Sequence, residues 1–279
     1  MYNVYGVIGY PVKHSLSPII HNLGFKLLGL KAVYGTFEVL PEDLEKAVMG
    51  VKALGIKGLS VTVPHKERII NYLDVIDDIS SEIGAVNTVV MENRKLLGFN
   101  TDWIGVLKAF ETNGVSLKNK RVVVVGAGGA AKSVIYAMKK AETKEVIVYN
   151  RTYQKAIELA ERFSVIAKPW EELEKAEGEV IIQTTSVGLN SKVSVVGPEV
   201  LARFKVAMDL VYSPLKTTFL SYAEEVGCQT IDGLLMLFYQ GIEQLKIWSQ
   251  KTLPSESLDL IKKELYAEIK RRQGLDDKD

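Results

Sequence analysis

RVVVVGAGGAAKSVIYAM, residues 121–138, decides the fold of this chain. Four consecutive valines at 122–125 read as a strand buried on both faces, the mark of a parallel sheet covered by helices. Gly126, Gly128 and Gly129 follow at once and make a tight turn into a helix expected to start near Ala130. Strand, glycine turn and helix in that order form the first unit of a dinucleotide-binding βαβ domain. Glycines let the backbone approach a pyrophosphate, and the helix N-terminus offers unpaired N–H groups and the positive end of its dipole. Ala131 holds the third place of the usual GxGxxG, where a small residue allows close packing of helix on sheet.

The next strand bears on which dinucleotide is bound. NAD-selective sites usually place Asp or Glu at its end, where the carboxylate accepts from the ribose hydroxyls. In VIVYNRTYQK, residues 146–155, that place is taken by Asn150, Arg151 and Thr152, with Lys155 one turn further on. A guanidinium pairs with a 2′-phosphate through two charge-assisted bonds, so NADP is the expected cofactor. Thr152 also suits the cap of the following helix, a role compatible with phosphate binding.

Working outward, strands and helices alternate almost throughout, which predicts an α/β protein with largely parallel sheets. Strands are expected at 4–9, 33–39, 59–63, 85–92, 121–126, 145–150, 180–184 and 206–210. A helix over 16–28 carries Ser17 as N-cap candidate and Pro18 at its first position. The polar segment NGVSLKNK, residues 113–120, marks the start of a second sheet, and after Asp232 and Gly233 the pattern turns helical over 234–250 and 255–272. The last residues, RRQGLDDKD, read as a solvated tail.

At 279 residues the chain has room for two domains, each with its own core. With 35 basic and 34 acidic residues it carries no net field to attract nucleic acid or an anionic membrane. A single cysteine, Cys228, excludes an internal disulfide, a CxxC pair and a cysteine-rich zinc site, and favours a cytoplasmic setting. MYNVYGVIGYPVKHS at the N-terminus does not read as a signal peptide, and no apolar run reaches membrane-spanning length, so neither export nor an anchor is expected. His14, His21 and His65 show no metal-binding spacing, and no metal is expected.

The first hundred residues place small polar side chains where strands end. Ser15 and Ser17 lie in KHSLSP, Ser60 and Thr62 precede Lys66 in SVTVPHK, Asn87 and Thr88 close GAVNT, and Asn100, Thr101 and Asp102 close GFNTD. Singly, each has a plain structural role: Ser17 and Asp102 as helix caps, Asn87 as partner of a nearby backbone. Together, hydroxyls, amides, one amine and one carboxylate at successive strand ends suit a small polyhydroxylated ligand, bound where open α/β sheets bind theirs.

These segments, with VTVPHK, GAGGAA, NRT, DLVYSP and DGLLML followed by Gln240, resemble in order and over nearly the whole chain the shikimate dehydrogenases of the shikimate/quinate dehydrogenase family. The resemblance implies NADP-dependent, reversible reduction of 3-dehydroshikimate to shikimate in aromatic amino acid (chorismate) biosynthesis. It implies two α/β domains with a cleft between them: a substrate domain of residues 1–103 plus 240–279, and a Rossmann-like NADP domain of residues 104–239. Lys66 and Asp102 become the catalytic pair. Ser15, Ser17, Thr62, Asn87 and Gln240 hold substrate, with Tyr212 near its carboxylate. Gly126, Ala127, Gly128, Gly129, Ala130, Asn150, Arg151, Thr152 and Lys155 hold the adenosine phosphates, and Leu210, Gly233 and Met236 lie near the nicotinamide. Ser60 is counted among the substrate residues, although many members have asparagine there; this leaves quinate as a competing substrate. A non-catalytic NADP-binding module is the alternative of another class. The expected partner is the small-molecule substrate alone, with room for a homodimer.

Overall fold

The computed structural model describes residues 2–189 and 191–274, and the expected C-terminal tail at 275–279 lies outside them. The chain divides into two compact units, Met1–Asp102 with Phe238–Glu268, and Trp103–Leu237 with Ile269–Asp279. Both are α/β. Among the described residues no helix is long and apolar enough to cross a membrane.

The first unit runs β1 (Asn3–Gly9), α1 (Ser17–Leu27), β2 (Ala32–Glu38), α2 (Leu44–Leu54), β3 (Gly58–Val61), a 3₁₀ turn at Arg68–Tyr72, β4 (Val75–Ile76), α3 (Asp78–Ile83), β5 (Thr88–Glu92) and β6 (Lys95–Phe99). Its six strands lie in the order β2-β1-β3-β5-β6-β4. β1 is parallel to β2 and β3, whereas β5 is antiparallel to both β3 and β6. The single strand expected over 85–92 is therefore shorter and belongs to a hairpin. Its turn, Asn93 and Arg94, has φ of 48° and 63°, the left-handed geometry that suits the twist of a two-residue hairpin. β6 went unread because its period-2 alternation is short and interrupted by Gly98.

That antiparallel turnaround positions the polar residues. Thr88 pairs with Ser60 and with Phe99, so the amino end of β5 meets the carboxyl ends of β3 and β6. Asn87 and residues 100–102 consequently emerge at the same end of the sheet as the segment that follows β3. On one face, Ile8, Leu44, Val48, Val51, Leu59 and Val61 form the core under α2.

The second unit continues with α4 (Asp102–Thr112), β7 (Arg121–Val125), α5 (Gly129–Lys140), β8 (Glu145–Tyr149), α6 (Tyr153–Phe163), β9 (Ile166–Lys168), β10 (Val180–Gln183), α7 (Pro198–Leu201), β11 (Val206–Asp209), α8 (Thr218–Glu225) and β12 (Gln229–Ile231). The sheet is wholly parallel, in the order β12-β11-β10-β7-β8-β9. This is the doubly wound Rossmann arrangement, with its switch point between β7 and β10. The four valines of β7 are fully buried, as an apolar run covered on both faces requires. The short strands β9 and β12 at the sheet edges escaped the sequence reading.

Two helices complete the chain, α9 (Gly233–Ser249) and α10 (Ser255–Arg272). Most of α9 belongs to the first unit, where Gly24 on α1 is small enough to meet Leu245. Gly58 in β3 likewise lies under the Trp248 indole, which packs on Tyr5 and His21 and donates through Nε1 to the Val89 carbonyl at 3.0 Å. A methyl group at position 58 would fall on that ring. Gly58→Ala should lower stability by about 1–3 kcal/mol, the usual cost of overpacking, read as a lower urea midpoint. An unchanged midpoint would mean that α9 is not seated through this contact.

Candidate active site

At the polar end of the first sheet, Lys66 leaves a turn whose two sides are anchored in the core. A tight turn carries Lys66, and only Arg68–Tyr72 beyond it are helical, as 3₁₀. His65, fully buried, donates from Nε2 to the Val39 carbonyl at 2.8 Å. Burial holds this imidazole below its ordinary value of 6.5, so it is neutral and Nε2 carries its proton. Ile69 is buried on the other side, and the Lys66 carbonyl accepts from Val86 N at 2.8 Å.

The Lys66 ammonium meets Asp102 Oδ2 at 2.6 Å, with side-chain exposures of 13% and 4%. Asn100 fixes the start of α4 by donating to the Ala85 carbonyl and accepting from the Asp102 N–H at 3.0 Å. Asp102 thereby stands in the first turn of α4, where the helix dipole favours a carboxylate. Asn87 completes the group. Its Oδ1 accepts from Thr101 N at 2.8 Å and from Thr88 Oγ1 at 2.7 Å, so its Nδ2 faces Asp102 Oδ1 at 2.8 Å and Gln240 Oε1 at 3.2 Å.

The remaining residues expected to hold substrate reach the sheet end by other routes or sit in the other unit. Ser15 follows β1, and its Oγ accepts from Ser17 N at 3.2 Å. Ser17 is not the N-cap of α1: that position is Leu16, without a side-chain cap bond. Both serines are buried. Thr62 follows β3, held against Gly9 by its N–H to the Ile8 carbonyl. Ser60 is turned into the protein, donating to Gln244 and accepting from Tyr34. Tyr212 belongs to the second unit, after β11. Among the described residues no group of three or more His, Cys, Asp or Glu could hold a metal ion.

In the second unit, Gly126 ends β7 at the switch point with φ of +119°, and a Cβ there would strike Thr184 beyond β10. A side chain is thus barred both by conformation and by space. Ala127 is half-buried, Gly128 is the exposed N-cap of α5, and Gly129 and Ala130, both half-buried, form its first turn, where a helix leaves its N–H groups without intrahelical partners. At the end of β8, Asn150 Nδ2 donates to the Thr152 carbonyl at 2.8 Å, while Arg151, Thr152 and Lys155 are exposed. Thr152 occupies the N-cap of α6, yet its hydroxyl makes no cap bond. These residues fit a phosphorylated dinucleotide: a glycine turn in which Gly126 admits no Cβ, a helix N-terminus, and cations where a carboxylate would repel a 2′-phosphate. Leu210 is half-buried and Met236 buried, and Gly233 lies so close to the Leu210 carbonyl that a Cβ would overlap it.

Comparison with known proteins follows the same division. A family model described as shikimate dehydrogenase substrate binding domain matches residues 7–89, and one described as shikimate / quinate 5-dehydrogenase matches residues 108–203. A shikimate dehydrogenase (NADP(+)) of Thermococcus kodakarensis is 48% identical over 250 residues, covering 88% of this chain and 90% of that protein. The chain belongs to the shikimate dehydrogenase family. Solved members of that family agree in fold. The Aquifex aeolicus shikimate dehydrogenase is 44% identical, with a TM-score of 0.86 over 93% of this chain and 97% of that one. The Thermus thermophilus shikimate 5-dehydrogenase, solved in complex with NADP(H) and shikimate, is 35% identical, with a TM-score of 0.85 over 94% and 99%.

Residues around both halves of this family's scaffold escaped the sequence reading. Tyr34, His21 and Gln244 lie behind Ser60 and Asn87; the signal for Gln244 was its spacing of four from both Gln240 and Trp248, one helix face. In the second unit, Asp209 at the end of β11 is buried and accepts from Thr217 Oγ1 at 2.6 Å, Val211 N at 2.9 Å and Gln183 Nε2 at 3.1 Å. Burial pushes its carboxyl up to about 7 from 3.8, against the pull of the Thr217 and Val211 bonds. A raised value means the folded chain keeps a proton that the unfolded chain releases. The associated stability is full below pH 3.8 and is lost as pH rises to about 7. The denaturant midpoint should therefore fall from about pH 5 to about pH 8, and fall less in Asp209→Asn. Equal falls in both proteins would assign the effect to another group.

Proposed function

We propose that this chain is an NADP-dependent shikimate dehydrogenase, reducing 3-dehydroshikimate to shikimate and running in reverse, a step of aromatic amino acid (chorismate) biosynthesis. The observation that carries the assignment of roles is the part-buried Lys66–Asp102 pair at 2.6 Å, held by Asn87 at the polar end of the substrate-domain sheet.

NADPH, when bound, supplies the hydride. The protein's part is to move a proton at the oxygen of the reacting carbon and to hold the ring in place. Lys66, as an ammonium, donates that proton as negative charge develops on the carbonyl oxygen, and takes it back in oxidation. Asp102 aims the amine and accepts from a ring hydroxyl. Asn87 and Gln240, joined at 3.2 Å, present an amide edge for further hydroxyls. Ser15, Ser17 and Thr62 bind from the ends of β1 and β3, and Tyr212 reaches the substrate carboxylate. Because the charged pair is already formed and largely shielded from water, it meets the reaction with little reorganisation.

On the cofactor side, Gly126, Ala127, Gly128, Gly129 and Ala130 would take the pyrophosphate, and Asn150, Arg151, Thr152 and Lys155 the adenosine 2′-phosphate. Leu210, Gly233 and Met236 would border the nicotinamide. The substrate domain is assigned residues 1–103 plus 240–279 and the NADP domain residues 104–239. A cytoplasmic setting belongs to the same proposal, supported by the single free thiol of Cys228.

Shikimate-dependent NADP reduction, followed by the absorbance of the reduced nicotinamide, tests the reading directly. Activity with shikimate should exceed that with quinate, and binding of NADP without turnover of either would instead mark a non-catalytic module. Lys66→Ala should lower kcat by about 10²-fold or more, with a smaller change in KM for shikimate; near-normal kcat would remove Lys66 from the chemistry. Arg151→Ala should raise the KM for NADP and narrow its preference over NAD. An unchanged ratio would place the 2′-phosphate elsewhere.

A further inference from the structure

Behind Asn87 lies a buried polar group that the assignment above does not use. Tyr34 on β2 donates through its hydroxyl to Ser60 Oγ at 2.6 Å, and Ser60 Oγ donates to Gln244 Oε1 at 2.7 Å. The other end of the same carboxamide, Gln244 Nε2, donates to the Asn87 carbonyl at 2.9 Å and to Thr88 Oγ1 at 3.0 Å. Ser60, Thr88, Asn87 and Gln244 are all buried.

The direction of each bond follows from which groups cannot be reversed. A backbone carbonyl only accepts, so the Gln244 amide must turn its NH₂ toward Asn87 and its oxygen toward Ser60. Ser60 then has to donate to that oxygen, which leaves its lone pairs for Tyr34. Thr88 receives the Gln244 N–H and must send its own proton elsewhere, to Asn87 Oδ1 at 2.7 Å. With Thr101 N also donating to Oδ1, the Asn87 NH₂ is obliged to face Asp102. His21 seals the arrangement. It is fully buried and its imidazole is held down to about 3 by burial, hence neutral; it stacks on Tyr34 with centroids 4.4 Å apart and donates to Gln244 Oε1 at 3.2 Å. Every donor from Tyr34 onward thus points toward Asp102, whose other oxygen takes the Lys66 ammonium.

We propose that Tyr34, Ser60 and Gln244 form a one-directional hydrogen-bond chain that fixes the orientation of Asn87 and, through it, of Asp102 and Lys66, so that Ser60 acts as a positioning residue through Gln244 and not by touching substrate. Chains of this kind polarise one another, so the loss of a distant member weakens the bond at the far end. A small misplacement of a reacting group is costly in rate while leaving binding nearly intact. The inference rests on the assignment of Lys66 and Asp102 made above.

The test is a double-mutant cycle with steady-state kinetics on the full chain. Ser60→Ala and Tyr34→Phe should each lower kcat by about 10-fold with the shikimate KM changed by less than about twofold. The double variant should be no slower than Ser60→Ala alone, because the hydroxyl that Tyr34→Phe removes enters the chain by donating to Ser60 Oγ, while the ring stacked on His21 is kept. Losses that multiply in the double variant, or a Ser60→Ala effect confined to KM, would overturn the inference. If Ser60→Ala fails to fold, Tyr34→Phe decides: it removes one oxygen and keeps the ring, so a kcat loss at unchanged KM and unchanged melting temperature supports the chain, and unchanged kcat overturns it. Absence of shikimate-dependent NADP reduction by the unaltered chain would overturn the functional reading, and this inference with it.

Discussion

An ammonium and a carboxylate 2.6 Å apart, with almost no access to water, must be held by more than their mutual attraction. Desolvating two charges costs several kcal/mol each, and Coulomb energy recovers this only when the geometry is tight and the remaining lone pairs find donors. Much of the first unit answers that demand. Asp102 gains the amide of Asn87 and the N-terminal end of α4, and Lys66 rides on a turn fixed by His65 and Ile69. Loosening any of these would leave a charge buried without its full set of partners.

The sheet topology is what makes such a cluster possible. A wholly parallel sheet offers only the carboxyl ends of its strands at one edge. The antiparallel β5 adds an amino end there, so Asn87, entering β5, meets Asp102, leaving β6, beside the turn that follows β3. α9 then runs along β5, and Gln240, Gln244 and Trp248 bond successively to Asn87, to Asn87 and Thr88, and to Val89. In the second unit the wholly parallel order places a switch point between β7 and β10, where Gly126 packs against Thr184.

The parts of this architecture legible in the sequence were those with a local physical cause. An all-valine strand running into GAGGAA admits one reading, and the structure has β7, the turn and α5 where that reading put them, within a residue. The two-domain α/β class followed from the alternation of elements. What escaped depended on pairing between distant segments. The hairpin of β5 and β6 and the edge strands β9 and β12 are too short for periodicity to declare them. Ser60 shows the limit most clearly: nothing near it in sequence pointed to Gln244, 184 positions away, which accepts its proton. No local signal announces a partner at that separation.

The turn at Asn93 and Arg94 illustrates how far the demands of the cluster reach. It is exposed, carries no reacting group, and would ordinarily be a place where sequence drifts and insertions accumulate. Yet it sets the register that brings Thr88 opposite Phe99, and with it the meeting of Asn87 and Asp102. Sliding one strand by a single residue would turn every one of its side chains to the opposite face. The two-residue length of this surface corner, more than its charge or polarity, therefore decides which side chains meet at the other end of the hairpin.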